Sequence, residues 1–197
     1  MEKIKENIEK GKRLFTHRID SCRFKPGDHI YAYRGFGSYS HHGIYVGEDR
    51  VIHFIPTESD GLSKQDPPCP KCGYQHNVHL GVVKTCLGCF LSKGALSSDS
   101  LCLYQYEESK LVKKLKRAGS CSSAKCLPPE TVVNIANELH KENCFGRYDL
   151  VGNNCEDFST FCKTGIRRSE QVVIVMNLPM MPFLAKVLES LKLSLPK

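Results

Sequence analysis

The sequence contains no long hydrophobic run and no segment typical of a secretory leader. Nowhere in its 197 residues are there roughly 18 consecutive apolar residues, the length that a membrane-spanning helix needs. Residues 1–18 carry six basic residues and three glutamates, without the apolar centre of a signal peptide. We therefore expect a cytoplasmic protein whose 11 cysteines act as metal ligands, nucleophiles or buried thiols before they act as disulfides.

The sequence also lacks a nucleic-acid-reading motif and any interleaving of aromatic and basic residues. Its formal net charge of +7 nevertheless favours anionic partners. We expect no nucleic acid partner, whereas peripheral association with an anionic membrane remains open. The length and the 41% hydrophobic content suit one globular domain with an ordinary core.

One stretch, residues 152–162, reads GNNCEDFSTFC and predicts a helix with a cysteine in its first turn. Asn153 and Asn154 are favourable N-cap residues, and Gly165 is a suitable helix end. The positive end of the helix dipole and the unpaired N–H groups of a first turn favour a thiolate at Cys155. A lone cysteine at a helix start is usually structural, so this hypothesis needs support from elsewhere in the chain.

A predicted β-hairpin far upstream supplies that support. Two apolar runs within residues 43–54 are separated by Gly-Glu-Asp-Arg, which favours two strands and a turn. His41 and His42 open the first strand, and His53 lies inside the second. A histidine among apolar residues is usually a core residue. A nucleophilic cysteine, however, needs one imidazole as a base and another polar group to orient it.

Two Cys-x-x-Cys pairs in the middle of the chain have the spacing of a zinc site. Thirteen residues separate Cys69 and Cys72 from Cys86 and Cys89. Each two-residue gap lets both sulfurs bind one ion, and four thiolates complete a tetrahedral shell. We predict a structural Zn²⁺ ion in an insertion spanning residues 57–100, with short strands between the pairs and with disulfides as the alternative.

The rest of the sequence predicts one domain with an amphipathic segment at each end. Residues 1–20 form a basic amphipathic segment, residues 21–176 the domain, and residues 177–197 an amphipathic tail. A helix is expected over residues 128–141, where prolines precede a broad apolar face. The predicted class is α+β, with a mainly antiparallel sheet packed against the helix that begins at Cys155.

The histidine and cysteine motifs resemble the signature of the lecithin:retinol acyltransferase (LRAT) family. His41 and His53 stand at the positions of the family's two histidines in the stretch SHHGIYVGEDRVIHF. Cys155 stands at the position of the family's nucleophile in the stretch NNCEDF. Tyr148 resembles a tyrosine that the family has ahead of its cysteine. The resemblance implies that Cys155 attacks an acyl carbonyl, that His41 is the general base, and that His53 orients the imidazole.

The resemblance covers roughly residues 26–56 and 142–164, and it departs from the family at Asp157, where the family usually has a histidine. It implies a permuted NlpC-type, papain-like fold, in which the histidine strands precede the cysteine helix. It also implies a lipid or acyl-ester substrate. The enzyme would be an acyltransferase or a phospholipase-type acyl hydrolase that works through a cysteine acyl-thioester.

Two other functions stay open. A cysteine amidase or peptidase is one, because the same superfamily contains such enzymes. A binding or scaffold protein that has kept the fold without turnover is the other, favoured by Asp157 and by a zinc knuckle that could serve as a docking surface.

The identity of the base is not decided by strand periodicity. Successive side chains of a strand point to opposite faces, so only one of His41 and His42 faces the cysteine helix, and either face could be the core. The twelve-residue interval from His41 to His53 agrees with the family pattern and favours His41.

Overall fold

The computed structural model describes residues 24–34, 39–59, 66–92, 101–108 and 120–166. Its elements are β1 (His29–Arg34), β2 (Tyr39–Gly47), β3 (Arg50–Phe54), β4 (Val82–Cys86), α1 (Leu87–Leu91), β5 (Leu101–Leu103), α2 (Pro129–Glu142) and α3 (Cys155–Thr164). The two predicted amphipathic segments, at residues 1–20 and 177–197, lie outside these ranges. None of the helices described is both long and apolar enough to cross a membrane.

The five strands form one antiparallel sheet in the order β4-β3-β2-β1-β5. This confirms the predicted α+β class and the antiparallel sheet. The predicted hairpin is also present, and its strands are joined by Glu48 and Asp49, which have φ of 51° and 58°. Left-handed conformations at both central residues match the right-handed twist of the flanking strands, so the turn fixes the register of the two histidine-bearing strands.

The two faces of the sheet are covered by different helices. On one face, Ile44 and Ile52 pack in a cluster with residues of α2 and α3, among them Phe158. On the other face, Val51 packs in a cluster with Phe90 of α1. Because side chains alternate along a strand, adjacent residues of β2 belong to different cores.

The helix that begins at Cys155 starts where the sequence predicts, because its N-terminus is closed by a capping box. The side chain of Asn154 accepts the N–H groups of Glu156 at 2.8 Å and Asp157 at 3.2 Å. The carboxylate of Asp157 in turn accepts the N–H of Asn154 at 3.1 Å. Gly165 ends the helix with φ of 74°. Asp157, which departs from the family pattern, therefore has a structural role in this chain.

The segment that carries the cysteine pairs is joined to the sheet. β4 is the edge strand beside β3 and leads directly into Cys86, while Cys89 lies within α1. The prediction of short strands between the pairs is wrong for residues 74–81. These residues form turns and coil before β4 begins at Val82. Asn143, which caps the C-terminus of α2, accepts the backbone N–H of Val82 at 2.8 Å. This contact covers the first residue of the edge strand β4.

Candidate active site

Cys155 is the first residue of α3, and its thiol lies beside an open edge of β2. The pairing of β2 with β3 ends at Gly43 and His53. Beyond that point the thiol donates to the carbonyl oxygen of Ser40 at an Sγ–O distance of 3.9 Å, and the sulfur accepts the backbone N–H of His42. The sulfur is therefore next to the strand segment from which the two adjacent histidines project to opposite faces.

His41 and His53, called the histidine dyad below, lie on the α1 face of the sheet and contact each other. His41 Nε2 is 2.9 Å from His53 Nδ1, and His53 Nε2 is 3.0 Å from the hydroxyl of Thr85. Both rings pack against Phe90, with centroid distances of 5.2 Å. Gly43 permits this approach, since a Cβ there would lie 3.0 Å from the Phe90 ring and 2.6 Å from a methyl group of Val51.

His42 takes part in a separate buried network on the opposite face. Its Nδ1 is 2.9 Å from Nε2 of His29, and its Nε2 is 2.8 Å from the hydroxyl of Ser40. Both ring nitrogens of His42 are therefore engaged. In contrast, Nδ1 of His41 has no hydrogen-bond partner among the residues that the structure describes. By alternation from Ile44, His42 lies on the face that α2 and α3 cover, so facing the cysteine helix does not by itself identify the base. Hydrogen bonding does distinguish the two histidines.

Arg34 places a buried positive charge next to the site. Only 3% of it is exposed, and its guanidinium donates to the carbonyl oxygens of Leu91 and Phe90. Burial, together with this charge, lowers the pKa of His41 to about 3. The charge also interacts with the Cys155 sulfur, so it favours negative charge there.

The thiol of Cys155 is neutral at rest. Burial raises its pKa to about 11, against the lowering effect of the His42 N–H and the Tyr148 hydroxyl, which both donate to the sulfur. The expectation of a thiolate from the helix start alone is therefore wrong, because loss of hydration outweighs the field of one helix end. Burial also lowers the pKa of His53 well below its ordinary value. The resting site holds an uncharged thiol and uncharged imidazoles.

The four cysteines of the two pairs come together in one cluster. Their sulfurs all lie within 4.8 Å of one another, with Cys69 and Cys86 at 3.9 Å and Cys72 and Cys89 at 3.6 Å. A disulfide needs about 2.05 Å between its sulfurs, whereas Zn–S bonds of about 2.3 Å in a tetrahedron put the sulfurs about 3.8 Å apart. The N–H of Lys71 is the main cause that lowers the pKa of Cys69 to about 6, whereas burial raises the pKa of Cys86 and of Cys89. The donor set fits a tetrahedral thiophilic ion.

Three residues around the dyad were not identified from the sequence. Arg34, Thr85 and Phe90 contact or polarise the histidines, yet none belongs to a motif. For Arg34 a weak indication was present, because Ile30, Ala32 and Arg34 alternate onto one buried face of β1. A charged residue at the end of such a series indicates a buried role.

Comparisons with known proteins point to one family. The family model described as "Lecithin retinol acyltransferase" matches residues 22–168. Protein LEAD-SENSITIVE 1 of Arabidopsis thaliana is 42% identical over 172 residues, which cover 78% of this chain and 62% of that protein. Lecithin retinol acyltransferase of Mus musculus is 29% identical over 66% of this chain and 51% of its own length. The Homo sapiens protein of that name is 29% identical over 67% and 52% respectively.

This chain therefore matches between about half and two thirds of the length of these relatives. The family model covers most of the sequence, including the histidine strands, the cysteine cluster and the cysteine helix. The resemblance noted from the histidine and cysteine motifs is confirmed, and the chain belongs to the lecithin retinol acyltransferase family.

Proposed function

We propose that this protein is a thiol-dependent acyltransferase or acyl hydrolase that acts on lipid esters through an acyl-thioester on Cys155. Membership of the family supports an acyltransferase-type activity on lipids. The observation that carries the proposal is the position of the Cys155 thiol beside β2, the strand that bears His41. Among the residues that the structure describes, Nδ1 of His41 has no hydrogen-bond partner.

The first half of the reaction forms the acyl-enzyme. The Cys155 sulfur attacks the ester carbonyl carbon while His41 removes the thiol proton, so a C–S bond forms and the carbonyl electrons move onto oxygen. A base is needed at this step because the resting thiol, with a pKa of about 11, is neutral. The charge of Arg34 and the backbone N–H groups of His42 and Cys155, which reach the sulfur, favour negative charge there.

The second half releases the products and restores the thiol. When the C–O bond of the ester breaks, His41 gives its proton to the leaving alkoxide oxygen. An acceptor alcohol or water then attacks the thioester with His41 again as base, and the proton returns to sulfur. His53 holds the imidazolium through its 2.9 Å contact with His41. Alcohol as acceptor makes the protein a transferase, and water makes it a hydrolase.

We also propose that the fold is the permuted papain-like one and that the domain spans residues 21–176. The chain order supports this, since β2 and β3, which bear the histidines, precede the cysteine helix α3. The capping role of Asp157 supports an active enzyme, because it gives this departure from the family pattern a structural cause.

The acyl-enzyme is the first prediction. Incubation with phosphatidylcholine should add the mass of one acyl chain to the peptide that contains Cys155, as measured by mass spectrometry of an acid-quenched digest. This added mass should vanish in Cys155→Ser. Cys162→Ser is the matched control, because Cys162 is also a buried cysteine of the same helix, and this variant should acylate normally. Labelling from amide but not ester donors would favour an amidase, and no labelling from either would favour a scaffold.

The choice of base gives the second prediction. His41→Ala should slow acylation of Cys155 by about 10²-fold or more, the usual contribution of a positioned base. His42→Phe should leave the acylation rate of the folded protein largely intact. It should lower the free energy of unfolding by about 1–3 kcal/mol, because His29 and Ser40 lose a buried hydrogen-bond partner. The two effects are separated by single-turnover acylation and by urea unfolding. If the two kinetic results were reversed, the base would be His42.

We propose that the four-cysteine cluster holds a structural Zn²⁺ ion. The mutual sulfur distances within 4.8 Å support this, and a closed shell of four thiolates leaves no position open for substrate. When bound, the ion would hold the loop of the first pair against β4 and α1.

Metal analysis gives the third prediction. The purified protein should contain close to one zinc ion per chain by elemental analysis, and a strong chelator should lower its melting temperature. Cys72→Ser should lose the metal, while Cys126→Ser, outside the cluster, should retain it. Protein purified without near-stoichiometric zinc and unaffected by chelators would contradict the site.

A peripheral contact with an anionic membrane is proposed for the turn that precedes α3, in a cytoplasmic protein. Leu150 and Val151 are 79% and 93% exposed. The turn is well defined, because Asp149 accepts the N–H of Val151 at 2.9 Å and Asn154 donates to the carbonyl of Leu150 at 3.0 Å. Two aliphatic side chains are therefore displayed a few residues from Cys155, and the net charge of +7 suits an anionic surface.

Vesicle binding gives the fourth prediction. The paired substitution Leu150→Asp and Val151→Asp should weaken flotation with phosphatidylcholine–phosphatidylserine vesicles at least several-fold. It should leave acylation of Cys155 by a soluble short-chain ester unchanged. Val78→Asp, which alters an exposed apolar residue of the cysteine segment, should float like the unaltered protein. Equal flotation of all three proteins would contradict the assigned contact.

A further inference from the structure

The hydrogen-bonded pair of histidines continues into the edge strand of the sheet. The hydroxyl of Thr85 in β4 is 3.0 Å from His53 Nε2 and 3.2 Å from the backbone carbonyl oxygen of Cys86. Thr85 is completely buried, so water does not compete for these contacts. The chain of contacts therefore runs from a backbone carbonyl through Thr85 and His53 to His41.

The direction of every hydrogen bond in this chain is set by the carbonyl at its end. A carbonyl oxygen can only accept, so the single hydroxyl proton of Thr85 is donated to Cys86. Its oxygen then accepts from His53, whose proton is on Nε2. A neutral imidazole carries one N–H, so His53 Nδ1 has only a lone pair and accepts from His41 Nε2. The remaining nitrogen of His41, Nδ1, is left with a free lone pair.

We propose that Thr85 is a positioning residue that fixes the tautomers of both histidines and so makes His41 Nδ1 the base. The catalytic part of this inference rests on the proposed function, whereas the tautomer assignment does not. Without the hydroxyl, His53 Nε2 would have no acceptor in a buried site. The favourable response is the opposite tautomer, in which His53 donates from Nδ1 to His41 Nε2. His41 would then hold its proton on Nδ1, where the base is needed.

The tautomers can be read directly by two-bond ¹H–¹⁵N correlation spectra of the full-length protein labelled with ¹⁵N-histidine, at neutral pH. The unaltered protein should show protons on Nε2 of both His41 and His53. Thr85→Val, which keeps the shape and removes the hydroxyl, should move both protons to Nδ1. Thr85→Ser, which keeps the hydroxyl, should retain the original tautomers. Nδ1 protonation in the unaltered protein, or unchanged tautomers in Thr85→Val, would overturn the inference.

Kinetics provide the second readout. Thr85→Val should slow single-turnover acylation of Cys155 by about 10²-fold, and Thr85→Ser should restore most of the rate. Thr160→Val is the matched control, because Thr160 is a buried threonine of α3 that lies outside the chain of contacts from Cys86 to His41. It should change neither rate nor tautomers.

If tautomers shift as expected while the unaltered protein forms no acyl-enzyme, the role of Thr85 stands and the proposed function falls. If acylation occurs and Thr85→Val matches the unaltered protein, only the role of Thr85 falls.

Discussion

The end of the β2–β3 ladder is the constraint on which the site depends. Because the pairing stops at Gly43 and His53, the beginning of β2 keeps an open edge, and the N-terminus of α3 brings Cys155 to it. The thiol occupies a place where a neighbouring strand would otherwise lie. Side chains of β2 project to both faces of the sheet on either side of this thiol.

Two imidazole networks lie on opposite faces of β2 and differ in their hydrogen bonding: one joins His29 to His42, and the other joins His41 to His53. In the His29–His42 contact, every ring nitrogen has a hydroxyl or imidazole partner. This network stabilises β2, whose backbone N–H at His42 contacts the Cys155 sulfur. In the pair formed by His41 and His53, one nitrogen of His41 has no partner within the described part of the chain. Since burial keeps these groups neutral, the proposed reaction separates charge only as it proceeds and does not draw on charge stored in the folded state.

Sequence reasoning succeeded where structure is set by neighbours in the chain. The hairpin turn, the cap at Asn154 and the cysteine pairs each depend on a few adjacent residues, and each was located. It did not predict contacts between residues that are far apart in the sequence. Thr85 is 32 positions from His53, and Arg34 is 56 from Phe90, so no local pattern links them. The protonation of Cys155 was misjudged for the same reason, because burial is a property of the whole packing.

The cysteine cluster has a consequence for how this domain can be altered. Cys86 directly follows Thr85, and Cys89 directly precedes Phe90. Two of the four cysteines are therefore chain neighbours of residues that contact the histidine dyad. The first pair lies on turns outside the sheet, where changes of length and sequence are tolerated. The second pair cannot be excised or transplanted as a separate module, because its removal takes with it the strand and the helix that support the histidines.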